Sequence, residues 1–166
     1  DGTVWSVGDN QYGQLALGNR TSCQTPTLVE SLSNVTKISA GKKHAIALTK
    51  YGEVYTWGAN ENGQLGINNT STQDIPNLVT IPGATIVDVA AGNGYTALVD
   101  NKGKVYVCGK VAGINSTEPV AIETITTAVK VAAGDELIVL TKDGNVVKDK
   151  NGNPVSWTSD EKGGHL

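Results

Sequence analysis

"GANENGQLGINN", residues 58–69, is a near-copy of "GDNQYGQLALGN", residues 8–19. A glycine-punctuated loop written twice marks a repeat architecture, in which each copy is one supersecondary unit that needs neighbours to bury its faces. Three further anchors recur around it in a fixed order. "DGTVWSVG" (1–8), "YGEVYTWG" (51–58) and "KGKVYVCG" (102–109) superimpose on Gly2, Gly52 and Gly103, and "DGNVVKDK" (143–150) follows with Gly144. "ISAGKKHAIAL" (38–48), "VAAGNGYTAL" (89–98) and "VAAGDELIVL" (131–140) align on Gly41, Gly92 and Gly134. "PTLV" (26–29), "PNLV" (76–79) and "PVAI" (119–122) form the last anchor. Gly8 to Pro26 and Gly58 to Pro76 are both 18 residues, but Gly109 to Pro119 is 10, so the third copy lacks eight residues and with them the loop.

Each unit reads as a four-stranded antiparallel meander. "KISAG" and "HAIALT" are joined by a short glycine-containing link, "TKYGEV" is a tight turn into "VYTWG", and "PNLVTI" is a fourth strand. Pro76 is expected at that strand's start, where a missing N–H is tolerated. "AIAL", "TALV" and "LIVL" do not alternate, so the sheets are buried on both faces and must stack. Stacked four-stranded units are the blades of a β-propeller. Ala40, Ala90, Ala91, Ala132 and Ala133 suit strands crowded at a central channel. The repeated loop is an excursion between third and fourth strands, with Gln14, Leu15, Gln64 and Leu65 expected to pin it to the sheet. Repeat units span 1–50, 51–101 and 102–142. Residues 143–166 read as a degenerate fourth repeat or a hairpin about Asn151-Gly152, plus a flexible tail.

Composition narrows the function. The chain has 166 residues, a formal charge of −3 and a pI near 5.3. No basic stripe argues for nucleic acid. No apolar run approaches the ~20 residues of a membrane-spanning helix. Cys23 and Cys108 lie 85 apart with no metal or redox spacing, and two unpaired thiols are expected. His44 and His165 are the only histidines, and neither sits in a catalytic or metal motif, so catalytic residues, metal and cofactor are all expected to be absent. Trp5, Tyr55 and Trp57 are expected in the core. The start inside a repeat and the absence of Met suggest a piece of a longer protein.

The pattern "GEVYTWGANENGQLG … P … V … AAG" resembles the repeat of the regulator of chromosome condensation family. It is carried by Gly52, Val54, Tyr55, Trp57, Gly58, Asn60, Gly63, Gln64, Leu65, Gly66, Pro76, Val79 and Gly92. The first copy carries it on Gly2, Val4, Trp5, Gly8, Asn10, Gly13, Gln14, Leu15, Pro26, Val29, Gly41, His44 and Leu48. The resemblance implies a β-propeller, of which three to three and a half blades are present. It implies a repeat frame shifted against the blades, so that 1–35 is half a blade, 36–84 and 85–127 are whole ones, and 128–142 begins another. It also implies a structural role for His44. A non-enzymatic protein-interaction module is the expected function. An exchange factor for a small GTPase and a β-lactamase-inhibiting propeller are the alternatives. The Asn/Thr-rich, degenerate repeats fit a bacterial surface or secreted protein.

What varies between units is the link between first and second strands: Lys42 and Lys43, then Asn93 and Gly94, then Asp135 and Glu136. On a fixed framework, a changing charge marks Lys42, Lys43, Asn93, Asp135 and Glu136 as candidate partner-binding residues, the partner being a protein. Self-association is a further expectation, with "VAAGDELIVL" of one copy pairing beside "GTVWSVG" of another.

Overall fold

The structure, a computed structural model, describes residues 1–148 and the backbone of 154–156. It is built of strands and tight turns, with no helix among the described residues. The first sheet pairs β1 (Trp5–Gly8) with β2 (Cys23–Leu28). The second runs β3 (Val35–Ala40), β4 (His44–Thr49), β5 (Val54–Gly58), β6 (Gln73–Val79). The third runs β7 (Ile86–Ala91), β8 (Tyr95–Asp100), β9 (Val105–Val111), β10 (Ile114–Ala121). The fourth runs β11 (Ala128–Ala133), β12 (Leu137–Thr141), β13 (Asn145–Lys148), β14 (Pro154–Ser156). Each is an antiparallel meander, and β3, β7 and β11 pack side by side as the innermost strands. Half a blade and three whole ones are therefore present, in the shifted frame.

The repeated turn glycine explains the stacking. The carbonyls of Gly2, Gly52 and Gly103 accept the amides of Val35, Ile86 and Ala128 at 3.1, 3.3 and 3.0 Å. Each turn thus docks on the first residues of the next sheet. All three have φ near +80°, and a Cβ on Gly103 would meet the Thr126 carbonyl at 2.4 Å. Only glycine satisfies both constraints.

Apolar clusters fill the three junctions. Val4, Val29, Leu32, Ala47 and Trp57 join the first and second sheets, and Ile46, Leu48, Val89 and Leu98 the second and third. Val99, Val105, Val107, Leu137, Val139 and Val147 join the third and fourth. All six residues of β8 are buried, as two-sided stacking demands. Asp88 bonds both of its neighbouring sheets: one carboxylate oxygen pairs with Lys37 and the other accepts the Val131 amide at 2.9 Å.

Three expectations change, concerning Trp5, Pro76 and the pairing of β12. Trp5 is not in the core but 60% exposed, because the strand that would cover it is absent from the first sheet. Pro76 lies within β6, not at its start, next to a break in the β5–β6 register. Pro119 sits at a similar break on β10. An outermost strand tolerates proline there because its amide has no ladder partner to lose. The hairpin after residue 143 is the outer half of the fourth sheet, with β13 and β14 in register from Asn145↔Ser156 to Val147↔Pro154; the expected tail lies outside the described residues. Finally, β12 pairs with β13 of its own chain, Ile138 opposite Lys148 and Leu140 opposite Val146. Its edge is occupied and unavailable to "GTVWSVG" of a second copy.

Candidate functional site

Connections one–two and three–four of a meander fall at the same end of the sheet. The repeated loops and the charge-variable links therefore share one face. Asn10 and Asn60 organise the loops identically. The side-chain NH2 of Asn60 donates to the Asn69 and Ser71 carbonyls at 2.9 and 3.1 Å, and its side-chain oxygen accepts the Leu65 amide at 3.0 Å. Asn10 does the same with Asn19, Thr21 and Leu15. Gln14 and Gln64 pin the loop differently from expectation: their side-chain oxygens accept the loop amides of Tyr12 and Asn62. Ser6 and Thr56 hydroxyls hold the Leu15 and Leu65 carbonyls to the sheet at 2.8 and 2.7 Å.

The same loops strap each sheet to the next. The Trp57 indole N–H donates to the Gln14 carbonyl at 2.8 Å. The Gln64 carbonyl accepts the Thr96 hydroxyl at 2.7 Å and the Cys108 thiol at 3.4 Å. Because Thr96 spends its proton on Gln64, it accepts from His44 Nε2, 2.9 Å away. His44 is thereby a neutral Nε2–H donor between two sheets. Burial lowers its pKa to about 4, against the opposing charge of Glu61. Burial also pushes the Cys108 thiol up to about 12, leaving it protonated at neutral pH.

The candidate residues sit on the three links. Lys42, Asn93 and Asp135 line one shallow hollow together with Gly41, Gly92 and Gly134. Asn93 donates from its side chain to Asp135 Oδ1 and from its backbone to the Gly134 carbonyl, both at 3.1 Å. Lys43 is not part of the hollow. It leans the other way, 4.9 Å over the Tyr12 ring and 3.8 Å from Glu61. Glu136 is on the link of the fourth sheet but does not line the hollow. Sequence reasoning missed Tyr12 and Glu61. Both occupy the repeated loop, and the shared end of the meander was the signal that puts them beside Lys43.

A second concave feature lies beside β1. Trp5, Val7, Ile38, Lys42, Trp57 and Asp9 are among the residues lining this groove.

A repeat profile described as Regulator of chromosome condensation (RCC1) repeat matches residues 1–48 and 51–99, and a second of the same description matches 35–64. The chain is 40% identical over 115 residues to human E3 ubiquitin-protein ligase HERC2, covering 66% of this chain and 2% of that protein. It is 32% identical over 160 residues to human Regulator of chromosome condensation, covering 87% and 38%. Among solved structures, human WBSCR16 superimposes with a TM-score of 0.79 at 22% identity, covering 89% of this chain and 42% of that one. Yeast Prp20p, whose binding to Gsp1p and histones its structure report names, gives 0.75 at 21% identity, covering 88% and 40%. The chain spans well under half the length of these relatives.

Proposed function

The chain belongs to the regulator of chromosome condensation repeat family, and from that premise we propose that it is a non-enzymatic protein-interaction module whose link face holds a protein partner. One observation carries the reading: three links of equivalent backbone converge on one face bearing a cation, an amide and a carboxylate in turn. A framework that keeps its glycines while changing its charges suits recognition by electrostatic complementarity. Lys42 forms the basic side of the hollow and Asp135 the acidic side, with Lys43 and Glu136 beside them on the same links. Protein binding by a relative of this fold, with Gsp1p and histones as named partners of yeast Prp20p, supports the same class.

Gsp1p and histones serve as probes in a surface-plasmon-resonance experiment on the purified chain. Lys42→Glu/Lys43→Glu and Asp135→Lys/Glu136→Lys are compared with Ile75→Ser, which lies on an outer strand. A tenfold or greater loss confined to the link variants supports the link face. Equal affinity in all four chains, or no binding of either probe, sinks it.

Exchange-factor activity is a second reading, favoured by the 32% identity to human Regulator of chromosome condensation across most of the chain. Release of labelled nucleotide from Gsp1p, with and without the chain, decides it. The relatives named above are animal and yeast proteins, and a bacterial surface origin gains no support from them.

A further inference from the structure

We propose that Asn93–Gly94, on the link of the third sheet, is a site of spontaneous deamidation that turns the neutral amide of the hollow into an anion. Asparagine is one of the thermally labile side chains of proteins. A following glycine exposes it most, because no Cβ shields the attacking backbone nitrogen and the backbone turns freely. The sequence holds three Asn-Gly pairs, at 62–63, 93–94 and 151–152, the last outside the described residues. The structure treats the other two in opposite ways.

At Asn62–Gly63 the attacking nitrogen is already engaged. The Gly63 amide donates to the Asn60 carbonyl at 2.9 Å. Gly63 is buried with φ 78°, packed so that a Cβ would meet Thr117 Cα at 2.8 Å. The Asn62 amide donates to the Gln64 side-chain oxygen at 2.9 Å. The Asn62 carboxamide lies on Gly94, with Nδ2 2.8 Å from the position of a Cβ there. Nitrogen and carboxamide are thus both held in place. At Asn93–Gly94 the side chain is exposed, and no hydrogen bond engages the Gly94 amide among the described residues. The flanks are anchored instead: the Asn93 amide donates to the Gly134 carbonyl at 3.1 Å, and the Gly94 carbonyl accepts the Lys110 amide at 3.0 Å. The Asn93 carboxamide is tethered by one surface bond, to Asp135 Oδ1 at 3.1 Å. A free nitrogen beside an exposed carboxamide on an anchored link makes the attack an intramolecular step.

The Gly94 nitrogen attacks Asn93 Cγ. A C–N bond forms, closing a succinimide ring. The Cγ–Nδ2 bond breaks, and ammonia leaves with the proton of the Gly94 amide. Water then opens the ring and restores that N–H. Opening at Cγ leaves aspartate. Opening at the backbone carbonyl leaves isoaspartate, which routes the main chain through Cγ and lengthens the link by one carbon. Either product ends the donation to Asp135, because a carboxylate only accepts, and sets two like charges at hydrogen-bond range. The hollow, with Lys42 facing Asp135, becomes net negative. Lys42-Lys43 and Asp135-Glu136 carry no amide side chain and cannot change in this way. The third link therefore gives this face an irreversible change of charge with time, whose bearing on a partner rests on the link-face reading.

The test follows the purified full chain during incubation at 37 °C in mildly alkaline buffer, folded and in guanidinium chloride. Fragment-ion mass spectrometry reads conversion at each asparagine and separates aspartate from isoaspartate. In denaturant, Asn62 and Asn93 both precede glycine and are expected to convert at similar rates. In the folded chain Asn93 is expected to convert at least tenfold faster than Asn62, with isoaspartate among its products. Asn93→Gln, which keeps an amide but closes only a larger, slower ring, is expected to stay unchanged at that position. A smaller ratio in the folded chain, protection of both sites, or aspartate as the sole product overturns the proposal. No partner enters these readouts, so this proposal and the link-face reading fail separately.

Discussion

The second and third sheets hold on to their successors by different means. From the second sheet, residues 58–69 reach across to the third: Gly63 lies against Thr117, the Asn68 amide bonds the Thr117 carbonyl at 2.9 Å, and Gln64 gathers Thr96 and Cys108. From the third sheet, the eight-residue deletion leaves a tight turn through Ala112 and Gly113, which stays local. Its junction with the fourth sheet centres on an apolar cluster of Val99, Val105, Val107, Leu137 and Val139, beside the Asp88–Val131 and Asn93–Gly134 hydrogen bonds. The loop is therefore a polar strap added to a stack that apolar burial already sustains. It makes the junction specific in register, since a hydrogen-bonded hub fits one arrangement and a valine cluster fits several.

Glycine substitutions separate the two most sharply. Gly63 has φ 78°, and a side chain there would lie 2.8 Å from Thr117 Cα and 2.9 Å from the Ser116 carbonyl. Gly113 has φ 85° but open space around it. Gly63→Val combines strain with a backbone collision and is expected to cost about 4 kcal/mol, or to open the junction. Gly113→Val carries only the left-handed penalty, about 1–2 kcal/mol. Urea denaturation measures both, and equal losses would show that the strap carries no load of its own.

Acid tests the strap through His44. Its folded pKa, about 4, lies below the ordinary 6.5. Between these values the unfolded chain binds the extra proton and the folded chain does not. Stability from this group is intact above pH 6.5 and declines as pH falls toward 4, by about 3 kcal/mol in all. The second–third junction should loosen over this range while the third–fourth junction holds. Hydrogen exchange of the Leu98 and Val139 amides as a function of pH compares them, and parallel loss at both would break the distinction.

The loop hub ranks next. Asn60→Ala removes three side-chain donations and leaves the buried Leu65 amide without its acceptor. One buried amide stranded costs about 1–3 kcal/mol, so a loss near 2 kcal/mol is expected. Asn10→Ala breaks the same bonds in a loop attached to a half sheet. It should cost less global stability and instead release residues 8–22 locally, visible as early proteolysis.

The sequence disclosed some of this and hid the rest for physical reasons. Stacking and strand order were readable from glycine positions and from two-sided apolar strands, because those follow from local geometry, whereas the shifted frame came only with the family resemblance. Asn60 belonged to the recognisable pattern, but its role was hidden, since its partners are carbonyls nine and eleven residues on. Trp5 was misplaced because burial is a property of neighbours: its equivalent, Tyr55, lies between β4 and β6 and packs against an apolar cluster, whereas β1 pairs with β2 alone. Of the candidate site, the common end of the sheets that carries the links followed from symmetry, and Lys42, Asn93 and Asp135 line one hollow there. The divergence of Lys43 from Lys42 did not, because it depends on an aromatic ring in another sheet's loop.

The smallest effect concerns that divergence. Lys43 stacks on Tyr12 and approaches Glu61 at a distance where an exposed pair contributes little. The ring and the carboxylate come from the loops of the first and second sheets, so Lys43 ties together the ends of two straps. A cation over an exposed ring contributes about 0.5–1 kcal/mol. Tyr12→Leu keeps the apolar bulk and removes the ring's negative face, so a loss near 0.5 kcal/mol is expected. The attraction of Glu61 is screened by salt, whereas loss of a ring contact at van der Waals range is not. The deficit of Tyr12→Leu should therefore persist in 1 M NaCl, and that of Glu61→Gln should vanish. If instead Tyr12→Leu is neutral at both salt concentrations, the ring contributes nothing to holding Lys43, and the first strap ends at the Gln14–Trp57 bond.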